Sequence, residues 1–142
     1  MTLTSLQRLI AFDFGLRRIG VAYGQMVTKT AKPVTTLLAN DGHVDPQTIS
    51  ALLNEYEPQA LIVGLPLNMD GTDQAITQDA RQFAAWLSKA FKLPVHLSDE
   101  RLTTIEARDQ IFSQGGAKAL NKKQIDAYAA VIILESWMRD NH

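Results

Sequence analysis

Apolar positions fall in short continuous runs near the start of the chain and in three- and four-residue spacing further on. The switch between the two patterns predicts the order of elements. Leu9–Phe14 is a continuous apolar run broken only by Asp13, the signature of a buried strand. After a turn at Gly15, Ile19–Tyr23 forms a second strand, and the short connection makes the pair an antiparallel hairpin. Val34–Leu38, rich in Val, Thr and Leu, is a third strand. Asp45-Pro46 opens a helix, with Asp as N-cap and Pro in the first turn. Ile49, Leu52, Leu53 and Tyr56 supply its apolar stripe, and it stops before Pro58. Ala60–Val63 is a fourth strand that runs into a turn or loop at Gly64-Leu65-Pro66 and continues through Asn68-Met69-Asp70-Gly71. Ile76, Ala80, Phe83, Ala84, Leu87 and Phe91 mark a second helix, ended by Pro94, and Val95–Ser98 is a fifth strand. Thr103 with Glu106 fits a capping box opening a third helix, closed by Gly115-Gly116. Asn121 with Gln124 is a similar signal for a last helix reaching about Met138.

The expected fold class is α/β: a five-stranded mixed sheet in the order β-β-β-α-β-α-β-α-α, flanked by helices. At 142 residues, one domain spanning 1–142 is expected, long enough to bury a core without staples. With no cysteine, disulfides, thiol nucleophiles and Cys-built metal sites are excluded. No apolar run approaches a membrane span, and Met1–Arg8 lacks the order of a signal peptide, so a cytoplasmic protein is expected. The net charge of −1 argues against a uniformly basic nucleic-acid binder. Its distribution is uneven. Residues 1–32 carry five Lys or Arg and one acid, whereas residues 33–80 carry seven acids and no Lys or Arg. Bases gathered on one face would meet a polyanion.

The chemistry lies in acids placed where apolar residues belong. Asp13 interrupts a buried strand, which is costly unless the carboxylate is paired or binds a metal. It could cap the hairpin or pair with Arg17, but the following Gly15 suits close approach of a ligand. Asp99-Glu100-Arg101 follows the fifth strand at its carboxyl end, where open α/β sheets bind ligands. Asp126 lies in the last helix among Ala127, Ala129 and Ala130, small residues that allow close approach to the sheet; Lys122, four residues earlier, is a second partner for it. Carboxylates converging on one point repel unless a cation lies between them. Oxygen-only ligands favour Mg²⁺ or Mn²⁺, ions suited to phosphoryl transfer.

Ile10-Ala11-Phe12-Asp13-Phe14-Gly15 with Arg18-Ile19-Gly20-Val21-Ala22 resembles the opening motif of the YqgF family, also called RuvX. Gly64-Leu65-Pro66 with Met69-Asp70-Gly71-Thr72 resembles its second motif. Asp99-Glu100-Arg101-Leu102-Thr103-Thr104 with Glu106-Ala107 resembles its third, and Lys122-Lys123 with Asp126-Ala127 and Ala129-Ala130 its fourth. The likeness runs from about residue 9 to 135. It implies a ribonuclease H-like fold and a metal-dependent nuclease related to the RuvC resolvases, in a family associated with maturing the 5′ end of the small-subunit ribosomal RNA precursor. It also implies Asp13, Glu100 and Asp126 as catalytic, metal-holding acids, with Glu100 preferred to Asp99 because the longer acid matches the second-acid position of the fold. Related resolvases carry a fourth carboxylate about one helical turn before the last; Lys122 and Lys123 stand there in this sequence.

Arg17, Arg18 and Arg101 are candidate phosphate contacts, as are Thr104 and Lys122, and Asn68 in the loop after the fourth strand is a candidate substrate contact. Turn chemistry would equally account for Asn68. The expected partners are structured or single-stranded RNA, or branched DNA, with no membrane, and the chain acts as a monomer or homodimer. A non-catalytic RNA-binding module is the rival reading.

Overall fold

The computed structural model describes residues 8–100 and 122–141. The expected third helix, with Arg101, Thr103 and Thr104, lies outside the described residues. Five strands, β1 (Arg8–Asp13), β2 (Arg18–Gln25), β3 (Thr30–Leu38), β4 (Ala60–Leu65) and β5 (Val95–Asp99), form one sheet in the order β3-β2-β1-β4-β5. β1, β2 and β3 pair antiparallel, and β4 and β5 join parallel to β1 and to each other. Helix α1 (Pro46–Tyr56) connects β3 to β4, α2 (Thr77–Phe91) connects β4 to β5, and α3 (Lys122–Asp140) comes last among the described elements.

The mixed sheet follows from the sequence pattern, with two boundary differences. Gly64 and Leu65, expected in a turn, complete β4 and pair with Ser98 and Asp99. β3 begins at Thr30, four residues earlier than expected. Its first half is mostly exposed at the sheet edge, so burial leaves no apolar signature there. A register shift opposite Pro33 absorbs the missing N–H at that edge.

Helix ends obey local rules. The Asp45 side chain accepts a hydrogen bond from the Gln47 N–H at 2.9 Å and caps α1. The Thr77 hydroxyl donates to the Pro66 carbonyl and accepts from the Gln74 N–H, tying the start of α2 to the loop after β4.

Alternation along β1 splits the core into two layers. Ile10 and Phe12 face α1 and α2, packing with Leu61, Val63, Ile49, Leu52, Phe83 and Leu87. Leu9 and Ala11 face α3, packing with Ala22, Ala60, Ile62, Ala130, Ile133 and Leu134. The α3 layer is thin by construction. A methyl group at Gly20 would collide with the Asp126 carbonyl, and one at Gly24 would lie 2.7 Å from Leu134 Cδ2. Small residues on β2 thus let α3 sit directly on the strands. Among the described residues, no helix is long and apolar enough to cross a membrane.

Candidate active site

The α3 face of β1 runs Leu9, Ala11, Asp13, so strand alternation places the Asp13 side chain under α3 at the carboxyl end of β1. Its neighbours on both sides are glycines. Gly20 of β2 is its antiparallel partner. Gly64 of β4 follows Val63, the partner of Phe12, and therefore flanks it on the parallel side. Side chains at either position would fill the space over Asp13.

Glu100 enters from the β5 side. Its N–H donates to the Leu65 carbonyl at 3.3 Å, one residue beyond the last strand pair, so the chain is still held to β4 where it leaves the sheet. The side chain then folds back over Gly64. Its Oε2 is buried and occupies the space a methyl group at Gly64 would need. Asp126 comes from above, one turn into α3, fixed by the close seat of the helix on Gly20. The Arg18 Nε donates to Asp126 Oδ2 at 2.9 Å.

The three acids share an electrostatic neighbourhood. Asp13 is half-buried. Burial, followed by the charges of Glu100 and Asp126, pushes its pKa well above the usual carboxylate range. Burial first, then the charge of Asp99, pushes Glu100 up to about 7. Among the described residues no three His, Cys, Asp or Glu side chains are gathered closely enough to grip one ion as they stand. One oxygen of Asp126 is committed to Arg18. The donor chemistry still fits a hard divalent cation: the groups are all carboxylates, and the charges of Glu100 and Asp126 both bear on Asp13.

Of the other sequence candidates, Arg18 is at the acids, and Arg17 is exposed in the turn before β2, its carbonyl accepting from the Ala39 N–H at 2.8 Å. Asn68 is exposed and braces its own loop, donating to Thr72 Oγ1 at 3.0 Å and to the Asp73 carbonyl at 3.1 Å. Lys122 opens α3, four residues before Asp126. Its side chain, like Arg101 and Thr104, lies outside the described residues. Asp126 pairs with Arg18, 108 positions away, a partner that local spacing did not suggest. Gly20 and Gly64 were not foreseen as site residues. Their one signal was a glycine inside or beside an apolar strand, which marks close approach of another group.

A mixed five-stranded sheet in the order β3-β2-β1-β4-β5, with helices packed on both faces, is a ribonuclease H-like fold. Solved structures agree on the fold. The fowlpox virus resolvase in complex with Holliday junction DNA superposes with a TM-score of 0.59 at 14% identity, covering 94% of this chain and 97% of that one. Thermus thermophilus RuvC with a Holliday junction substrate gives 0.56 at 13% identity, covering 95% and 96%. The chain belongs to the RuvX family, described as Holliday junction resolvase, which it matches over residues 7–140. It is similar to a protein of Haemophilus ducreyi named "Putative pre-16S rRNA nuclease", at 53% identity over 133 residues, 94% of this chain and 96% of that one. A protein of the same name from Pectobacterium atrosepticum is 51% identical over 138 residues, 97% of this chain and 99% of that one.

Proposed function

We propose that this chain is a metal-dependent endonuclease that hydrolyses a phosphodiester bond in precursor ribosomal RNA, at the 5′ end of the small-subunit sequence. The observation that carries the reading is that Glu100 and Asp126, from the end of β5 and from α3, lie near enough to Asp13 of β1 for their charges to raise its pKa. The names of relatives above 50% identity, matched along nearly their whole length, support the choice of substrate.

Asp13, Glu100 and Asp126 would hold Mg²⁺ or Mn²⁺, which when bound lowers the pKa of an attacking water and offsets charge on the leaving oxygen. The chain's own residues do the rest. The rigid sheet fixes Asp13. Glu100 would bind the ion as a carboxylate, and the bond from its N–H to the Leu65 carbonyl holds it at the end of β5 with its carboxyl over Gly64. Arg18 holds Asp126 in place and offers a guanidinium to a phosphate at the rim, a role it would share with Arg17, Arg101, Thr104 and Lys122. Asn68 would line the approach at the same end of the sheet. The working unit is a single domain acting in the cytoplasm.

Branched DNA is the second substrate reading, favoured by the family's description and by the resolvase fold. Cleavage of a precursor rRNA 5′ fragment and of a four-way DNA junction, each with Mg²⁺ or Mn²⁺, separates the two. Junction resolution also requires a symmetric dimer with two sites, which ultracentrifugation reads directly. RNA cleavage that persists at wild-type rate in Asp13→Asn sinks the assignment.

A further inference from the structure

A cavity of about 540 Å³ opens on the face of the sheet away from the three acids, between the turn at residues 40–43 and α2. Phe14, Phe83 and Trp86 line it, with Asp41, Asp79 and Gln82 among its polar groups. Its size falls in the range of binding sites, roughly 300–1,000 Å³. Both walls are fixed. The Phe83 ring centre lies 5.3 Å from that of Phe14 and 6.0 Å from that of Trp86, and Trp86 meets Phe91 edge-on at 5.6 Å. Opposite, Asn40 and His43 exchange backbone hydrogen bonds of 2.9 and 3.0 Å across a two-residue turn. Asp41 and Gly42 hold the left-handed conformation such a turn requires, at φ 54° and 84°. A ligand entering would order little, so little binding energy would be lost.

Charge selects the occupant. The cavity is lined by two aspartates and by no Lys or Arg. His43 lines it as well, and Asp41 to Pro46 and Asp79 come from the stretch 33–80, which has seven acids and no Lys or Arg. Among the described residues neither aspartate forms an ion pair. A phosphate would be repelled here. A guanidinium would be drawn to both carboxylates and would lie against the aromatic wall, a geometry arginine favours over lysine. We propose that this cavity seats an arginine of a basic protein segment, so that the acidic face docks a cationic protein partner while the opposite face works on nucleic acid.

The test is an NMR titration of the full chain with acetyl-Gly-Arg-Gly-amide and with its uncharged citrulline counterpart. The Trp86 indole N–H, assigned through Trp86→Phe, and the Gly42 amide report binding. The arginine peptide should shift both signals saturably, and the citrulline peptide should bind roughly tenfold more weakly or worse, as loss of one charged contact implies. Asp41→Asn with Asp79→Asn should lose a similar factor. Gln82→Lys, which adds a fixed cation at the exposed rim, should block the site while leaving Mn²⁺-induced stabilisation unchanged. The proposal is overturned if the arginine peptide leaves both signals in place, if citrulline binds equally, or if guanosine monophosphate moves the same signals in preference, which would make the cavity a base pocket.

Discussion

Glu100→Gln offers the sharpest test of the site's electrostatics, because it should stabilise the protein while disabling it. Burial holds the folded pKa of Glu100 at about 7 against an ordinary 4.5. The folded state therefore binds this proton more tightly than the unfolded chain. The associated stability is fully present below pH 4.5 and is lost as pH rises through 7. The loss amounts to about 3 kcal/mol by pH 8, as an upper bound, at 1.36 kcal/mol per pH unit. Glutamine cannot ionise and escapes this cost. In EDTA at pH 8 the variant should melt above the wild type, by up to roughly 10 °C for a domain of this size. At pH 5 the gap should shrink to below about 1 kcal/mol, since the folded carboxyl is then protonated. Mn²⁺ should reverse the order at pH 8. A cation at 1,000 times its Kd adds about 4.1 kcal/mol to the wild type, more than that gap, and far less to the variant. Scanning calorimetry at the two pH values, with and without Mn²⁺, reads all four states. A variant less stable than wild type in EDTA at pH 8, or stabilised equally by Mn²⁺, would refute the reasoning.

Asp13→Asn should likewise raise apo stability at neutral pH, since the native carboxyl is held well above its ordinary range, yet cleavage of the precursor RNA should fall on the order of 1,000-fold. Thermal melts and a gel assay check the two halves. Gly20→Ala forces a methyl into the Asp126 carbonyl, so α3 must move off the sheet. Denaturant unfolding should show a loss of roughly 1–3 kcal/mol, and Mn²⁺ affinity by calorimetric titration should fall with it. Arg18→Gln breaks a partly exposed ion pair, so stability should change by less than about 1 kcal/mol. Mn²⁺ should bind at least as tightly because a competing cation is gone, while affinity for RNA in a filter-binding assay falls.

The strand and helix order was legible because each element announces itself locally. β1 and β4 are buried on both faces and show as apolar runs, α2 shows a stripe, and Asp45-Pro46 marks the start of α1. Asp13, Glu100 and Asp126 stood out for the same reason, as acids where the pattern wanted apolar residues or at a strand's end. The edge strand β3 was half hidden because its first residues are exposed and carry no burial signature. Local spacing did not point to Arg18 as the partner of Asp126, since it sees only residues a few positions away.

The amino-acid order by itself therefore determined the strands, their mixed sheet and the helices between them, which follow from short-range periodicity; the choice of Asp13, Glu100 and Asp126 as candidates leaned on the family resemblance as well. Tertiary structure alone decided that Arg18 meets Asp126 across 108 positions, that Gly20 leaves room for the Asp126 backbone and Gly64 for the Glu100 carboxyl, and that a cavity lined by two aspartates lies on the opposite face. Those facts depend on how closely α3 and the Glu100 side chain settle onto the sheet. That closeness is a property of packed surfaces, not of neighbours along the chain.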